Sequence, residues 1–198
     1  MDTTALIIFV RNPVLGKVKT RLAKDIGDDR ALEIYNLLLK HTFDVTQGLT
    51  CQKFVFYADE ITNNDLWEGA NFSKRMQRGI DLGERMHHAM SDLFDEGFMK
   101  VIIIGSDCFE MSIPILDYAI FQLAHHDAVI GPARDGGYYL IGLSTLITEL
   151  FINKAWSTNL VLRDTIDDFS RMGKSYFLLP ELNDIDDSSD LDFFEKGQ

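Results

Sequence analysis

Ala5-Leu6-Ile7-Ile8-Phe9-Val10 is an unbroken run of β-favouring apolar residues, halted by Arg11-Asn12-Pro13 and, shortly after, Gly16. A strand without polar alternation is covered on both faces, as in a parallel sheet sandwiched between helices. The rest of the chain is consistent with that reading. Leu32, Tyr35, Leu39 and Phe43 fall at helical spacing within Asp29 to Val45, and Lys53 to Ala58 reads as a second strand. Leu82, Met86, Ala89, Met90 and Leu93 mark an amphipathic helix ending near Gly97. Val101 to Ile104 is a further buried strand stopped by Gly105, and Ile113, Leu116, Ile120 and Leu123 give another helix. Ala128 to Ile130 and Tyr138 to Leu143 read as strands, Leu160 to Met172 as a helix, and Ser175 to Leu179 as the last strand. Strands interleaved with helices predict one three-layer α/β/α domain over residues 1–198, with a mostly parallel, Rossmann-like sheet. Ligands of such sheets bind beyond the carboxyl ends of the strands, which directs attention to the loops after Val10, Ile104, Ile130 and Leu179.

Composition narrows the partners. The chain is 46% hydrophobic and 25% charged, with a formal net charge of −12, which argues against bulk-charge binding to nucleic acid or anionic lipid. Its longest apolar run is the six residues from Ala5, too short for a membrane span. Asp2 and two threonines precede that run where a secretory signal would be basic, and two cysteines, Cys51 and Cys108, make no disulfide framework. The expected location is cytoplasmic. Charge is unevenly placed, however. Arg11 to Arg30 has six basic residues against three acids, whereas Glu181 to Gln198 has seven acids and one lysine. A basic loop near the start of an acidic chain suggests a small anionic ligand; solvated faces are the plainer reading of both ends.

The first loop offers Arg11, Gly16, Lys17, Lys19 and Arg21, a set able to surround a diphosphate or simply to form a surface basic patch. It is neither G-x-x-x-x-G-K-[ST] nor G-x-G-x-x-G. After Val101 to Ile104 come Gly105-Ser106-Asp107-Cys108. Asp107 is placed to hold Mg²⁺ or Mn²⁺ on a nucleotide diphosphate, or else to cap the helix near Ser112. Asp186, past the last strand, is a candidate second carboxylate. In Gly131-Pro132-Ala133-Arg134-Asp135-Gly136-Gly137-Tyr138 the paired glycines allow a hairpin turn or a close approach of backbone to ligand, and Asp135 is a candidate for proton transfer. His87-His88 and His125-His126 lack metal-ligand spacing and read as helix residues, and Cys108 has no neighbouring base to make it a nucleophile.

Taken in order, these segments resemble nucleotide-diphospho-sugar transferases of the GT-A type. They are most similar to a bacterial family of radical-SAM/selenodomain-associated, or arsenosugar-biosynthesis, glycosyltransferases. The resemblance rests on Phe9 to Pro13, Gly16 to Ala23, Asp81 to Met86, Gly105 to Cys108, Gly131 to Leu143, Trp156 to Thr158, and Asp184 to Asp186 before Asp190-Leu191. The Lys19 to Ala23 piece also resembles phospholactate guanylyltransferases of the same superfamily. The resemblance implies that the first loop, Gly83, Arg85 and Ser106 hold the nucleotide, and that Asp107, with Asp186, holds the metal. Asp135, Gly136, Gly137, Tyr138 and Trp156 would then line the sugar or acceptor pocket.

The chain departs from that pattern in two places. The family usually has proline two residues after the metal aspartate and leucine two further on, where this chain has Phe109 and Met111. Phenylalanine is expected to add bulk to the pocket wall. The Leu-Ala-Ala-Gly opening of sugar nucleotidyltransferases is absent. The leading expectation is a metal-dependent glycosyltransferase joining a nucleotide-sugar donor to a small-molecule acceptor. A nucleotidyltransferase that joins an NTP to a phosphorylated small molecule is the alternative, and a non-catalytic nucleotide-binding protein is a third. Oligomeric state is open, because apolar helix faces serve a core and a partner alike.

Overall fold

A computed structural model of the chain describes residues 3–69 and 71–191. Its strands are β1 (Thr4–Val10), β2 (Gln52–Tyr57), β3 (Phe72–Met76), β4 (Lys100–Ile104), β5 (Ala128–Pro132), β6 (Tyr138–Leu143) and β7 (Tyr176–Leu178). The helices are α1 (Thr20–Ile26), α2 (Asp28–Gln47), α3 (Leu82–Asp95), α4 (Ile113–Gln122) and α5 (Val161–Met172). One seven-stranded sheet runs in the order β3-β2-β1-β4-β6-β5-β7. Every neighbouring pair is parallel except the two that involve β6, which is antiparallel to both β4 and β5.

The apolar run from Ala5 behaves as its lack of alternation predicts. Leu6, Ile8 and Val10 enter one core with Tyr35 and Leu39 of α2 and Leu116 and Ala119 of α4. Ala5 and Ile7 enter the opposite core with Met86, Met90 and Leu93 of α3 and Phe169 of α5. Two apolar faces on one sheet, each covered by helices, make the three-layer α/β/α architecture.

Two elements escaped the sequence reading. β3 pairs only with β2 at the sheet edge and includes Ser73, Lys74 and Arg75, so it never shows an apolar run. α1 lies within the basic stretch and buries one side chain, Leu22. His125 and His126, expected on a helix, fall in the turn after α4.

From β1 the chain first builds outward to β2 and β3, then returns to place β4 on the other side of β1. Connections therefore diverge between β1 and β4, opening the crevice where such sheets bind ligands. A third, small core lies beside it, where Leu22, Ile34 and Leu38 pack with Ile185 from the tail.

Candidate functional site

β1 ends at Val10, and two side chains fasten the loop that follows. Asn12 is buried: its Nδ2 donates to the Glu60 carbonyl at 3.0 Å and to Thr62 Oγ1 at 2.7 Å. Tyr35 reaches over from α2, accepting from the Arg11 amide at 2.9 Å and donating to the Arg11 carbonyl at 3.1 Å. Ser106 Oγ, past the end of β4, lies 3.5 Å from the same hydroxyl. Burial, reinforced by the charge of Asp107, pushes the Tyr35 pKa up to about 12, so the phenol stays neutral and keeps its proton for this latch.

The acidic tail pairs through its backbone with the segment that follows β4. Asp184 forms an antiparallel bridge with Cys108, and the Ile185 amide donates to the Asp107 carbonyl at 3.0 Å. In an extended segment alternate side chains share a face. Ile185 accordingly turns into the Leu22–Ile34–Leu38 core, while Asp184 and Asp186 face Asp107 and the basic loop.

Lys19 lies among these carboxylates, 2.8 Å from Asp107 Oδ1 and 3.3 Å from Asp186 Oδ1, with its side chain only 5% exposed. Its backbone is left-handed at φ 48°, a conformation that costs a residue with a Cβ about 1–2 kcal/mol. Arg21 Nη2 approaches the other oxygen of Asp186 at 3.3 Å. Burial alone would lower the Lys19 pKa, but Asp107, Asp186 and Asp184 outweigh it and raise the value above that of an ordinary lysine. The pKa of Asp184 rises as well, but for a carboxyl the rise disfavours the charged form. Burial and the neighbouring charge of Asp107 lift its pKa to about 7, despite the pull of Lys19.

A cavity of about 580 Å³ opens over this cluster at the ends of β1 and β4. A second lobe of about 390 Å³ adjoins it, and Arg21, Leu82, Tyr138 and Ser157 line both. Of the residues singled out from sequence, Arg11, Lys17, Lys19, Arg21, Arg85, Ser106, Asp107 and Asp186 line the first lobe. Asp135, Gly137, Tyr138 and Trp156 line the second. Gln77 in the first lobe, Asp184 in the second, and the latch residue Tyr35 were not anticipated as site residues. Ile80, 88% exposed, and Leu82 give the rim an apolar edge.

Three expected glycines do not line either lobe. A Cβ on Gly83 would lie 2.3 Å from Trp156 Nε1, so this glycine admits the indole against α3. Gly136, at φ 86°, lies so close to the Asn159 backbone that a Cβ there would meet its carbonyl oxygen at 2.3 Å. Gly16 takes a left-handed turn, at φ 72°, within the basic loop. Each therefore shapes chain around the cleft. The paired glycines do close the turn between antiparallel β5 and β6, with Asp135 Oδ1 accepting from the Gly137 amide at 2.8 Å.

The expectation for Phe109 is also corrected. Its ring packs against the Leu22–Ile34–Leu38–Ile185 core and lies 4.6 Å, centre to centre, from His41, while Met111 is buried in the large core under α2 and α4. Neither lines the cleft. Burial pushes the Cys108 thiol well above its usual pKa, which makes it inert as a nucleophile.

Among the described residues, no three His, Cys, Asp or Glu side chains converge as a metal-binding group. A hard cation carried by a diphosphate asks for less, one or two carboxylates with the remaining ligands from phosphate and water. Asp107 and Asp186, which already share one cationic partner, fit that requirement. Asp107 Oδ1 is buried and takes no hydrogen bond of good geometry, leaving lone pairs for an electropositive partner.

The sheet, its crossover and the cleft at the strand ends define the fold of nucleotide-diphospho-sugar transferases. The chain belongs to the DUF2064 family, described as an uncharacterized protein conserved in bacteria, whose model matches residues 42–158. It is similar to a candidate nucleotide-diphospho-sugar transferase from Desulfovibrio desulfuricans G20. That crystal structure is 34% identical, with a TM-score of 0.90 over 98% of this chain and 87% of that one. CMP:2-keto-3-deoxy-manno-octonic acid synthetase in complex with CTP is 9% identical, with a TM-score of 0.58 over 98% of this chain and 97% of that one. A 4-diphosphocytidyl-2C-methyl-D-erythritol synthase from Anaerococcus prevotii is 12% identical, with a TM-score of 0.59 over 96% and 93%. At such identities the last two show a shared fold alone. No curated protein sequence matches the chain. Among the described residues, no helix is long and apolar enough to cross a membrane.

Proposed function

We propose that this chain is a divalent-cation-assisted glycosyltransferase that takes a nucleotide-sugar donor in the first lobe and a small-molecule acceptor in the second. The observation that carries this reading is the meeting of segments from the start, middle and end of the chain. The cations of the first loop face Asp107 and Asp186 at the divergence of β1 and β4. Arg11, Lys17, Lys19 and Arg21 bind and orient the diphosphate, while Tyr35 and Asn12 hold the loop in place. Asp107 and Asp186 are the residues that would hold Mg²⁺ or Mn²⁺, which neutralises charge building on the departing nucleoside diphosphate. Trp156 gives the second lobe an aromatic wall suited to an acceptor with an apolar face.

Asp184 lines that lobe and is the better candidate to take a proton from an acceptor hydroxyl. Burial raises its affinity for a proton, whereas Asp135 Oδ1 is engaged by the Gly137 amide. The similarity to the Desulfovibrio protein supports a nucleotide-sugar donor. The bacterial radical-SAM-associated and arsenosugar-biosynthesis transferases suggest the kind of acceptor chemistry. Phe109 and Met111, the two departures from the family pattern, lie away from the cleft and leave its lining unaltered.

Nucleotidyl transfer is the second reading, favoured by the fold shared along nearly the whole chain with the synthetase seen in complex with CTP. A thermal-shift panel of nucleotide sugars, nucleoside diphosphates and NTPs, with and without Mn²⁺, separates the two. A ligand at about 100 times its Kd adds about 2.7 kcal/mol. For a chain of this length that raises Tm by about 5–10 °C. A Mn²⁺-dependent rise with one nucleotide sugar, and release of nucleoside diphosphate in turnover, is the expected result. Preference for an NTP with pyrophosphate release selects nucleotidyl transfer, and no shift with any nucleotide overturns both.

A further inference from the structure

Lys19 is held where two roles compete. Its left-handed backbone and 5% exposure fix its ammonium between Asp107 Oδ1 at 2.8 Å and Asp186 Oδ1 at 3.3 Å. Two carboxylates turned toward one ammonium mark the place that a hard cation with these ligands would occupy. The same lysine lines the first lobe beside Arg11 and Lys17, where the phosphates of a nucleotide would lie. An ammonium is a compact point charge on a flexible stem, and full pairing with one anionic partner is made at the expense of the other. Its contact with Asp107 Oδ1 lacks hydrogen-bond geometry, which leaves a pairing that is electrostatic and weakly directional.

We propose that Lys19 is an exchangeable counter-cation. In the ligand-free protein it neutralises Asp107 and Asp186. It leaves them for the phosphate oxygens of an arriving nucleotide as a divalent cation takes over the carboxylates. This rests on the cation-assisted reading of the site and adds a consequence that reading does not contain. Cation and diphosphate bind as a coupled pair, because each alone strands a charge. A cation arriving alone displaces Lys19 with no anion to receive it. A diphosphate arriving alone draws Lys19 away and meets uncovered carboxylates. Arg21, at the outer oxygen of Asp186 and exposed, assists without being the occupant.

The test is Mn²⁺ binding to the full chain without nucleotide, by titration calorimetry and by electron paramagnetic resonance of free Mn²⁺. Lys19→Met is expected to tighten Mn²⁺ binding at least tenfold, and Lys19→Arg to stay within threefold of wild type. Asp107→Asn added to Lys19→Met should abolish the gain. A Lys19→Met protein with unchanged or weaker Mn²⁺ affinity overturns the exchange. If Asp107→Asn alone abolishes Mn²⁺ binding in that case, the cation reading of the site survives. If Mn²⁺ binding is absent throughout, or indifferent to Asp107→Asn, both fall. Acetylation of wild-type lysines, quantified by mass spectrometry, gives a readout that does not depend on the variants folding. Relative to exposed Lys40, Lys19 should be labelled several-fold faster in saturating Mn²⁺; an unchanged ratio overturns the proposal.

Discussion

The two lobes of the cleft are built by different means. The first lies on the ends of β1 and β4, strands whose backbones are locked in the centre of the sheet, and its character comes from charge. Lys19 and Arg21 from near the start of the chain, Asp107 from its middle and Asp186 from near its end neutralise one another before any ligand arrives. The second lobe lies mainly between the β5–β6 turn and residues 156–161, completed by Arg21, Leu82 and Asp184, and much of its character comes from close contact. Trp156 lies on Gly83, and the backbone of Asn159 lies on Gly136. One lobe is therefore tuned by which ions pair, the other by how closely chain packs against chain. That division suits a site in which one half grips a charged, common donor group and the other selects an acceptor by shape.

The sharpest break in this comparison is Asp107→Ala. Removing the carboxylate from the charge-built lobe should weaken Mn²⁺-dependent nucleotide binding about 100-fold, a loss of about 2.7 kcal/mol. Tm without ligand should change far less, because the side chain is 40% exposed and outside the cores. Equal nucleotide affinity in that variant removes Asp107 from the site.

Asp184 links the two lobes, and pH exposes it. Its folded pKa of about 7 stands above the unfolded carboxylate value of about 3.9. Its stabilising contribution is complete below the unfolded pKa and is lost as pH rises through the folded one. Metal-free protein should thus lose stability between about pH 4 and 7, by at most about 1.4 kcal/mol per pH unit. Glu68, Glu96, Asp127 and Asp187 have lowered pKa values and act in the opposite sense, at the acid end of the range. Urea denaturation from pH 5 to 7 isolates Asp184, and Asp184→Asn should flatten the slope.

In the contact-built lobe, Trp156→Ala should raise the acceptor KM about tenfold, or about 1.4 kcal/mol, and leave nucleotide Kd unchanged. Steady-state kinetics with calorimetric nucleotide binding decides this. A matching loss of nucleotide affinity would mean that the lobes are not separable. The smallest effect is that of Tyr35→Phe, which removes the hydroxyl that accepts from the Arg11 amide and donates to the Arg11 carbonyl, and so loosens the loop. A loss of about 1 kcal/mol, near fivefold in nucleotide Kd, is expected as the part of that latch felt by the ligand.

How much was readable in advance differs along the same division. The basic loop, Asp107 and Asp186 stand out as charges beside strand ends, and the structure brings them into one lobe. Asp184 does not stand out among the tail's acids. Only its bridge to Cys108 fixes which alternate residues face inward, and Ile185 then anchors that register in a core of its own. Tyr35 reads as one more apolar helix position, because nothing local shows that its hydroxyl reaches Arg11. Gly83 and Gly136 read as ligand glycines because spacing cannot say whether a backbone is approached by substrate or by chain.

The amino-acid sequence by itself determined the layered α/β architecture and the side of the sheet on which the cleft opens. Both follow from local apolar patterning, which burial on two faces makes nearly unambiguous. Tertiary structure alone decided that β6 inserts antiparallel beside β4, that Phe109 turns away from the cleft, and that Lys19 pairs with a carboxylate of the tail. Each of these depends on which distant segments meet. Pairing, burial and Coulomb energy between segments separated along the chain, by 167 positions for Lys19 and Asp186, leave no local pattern to read.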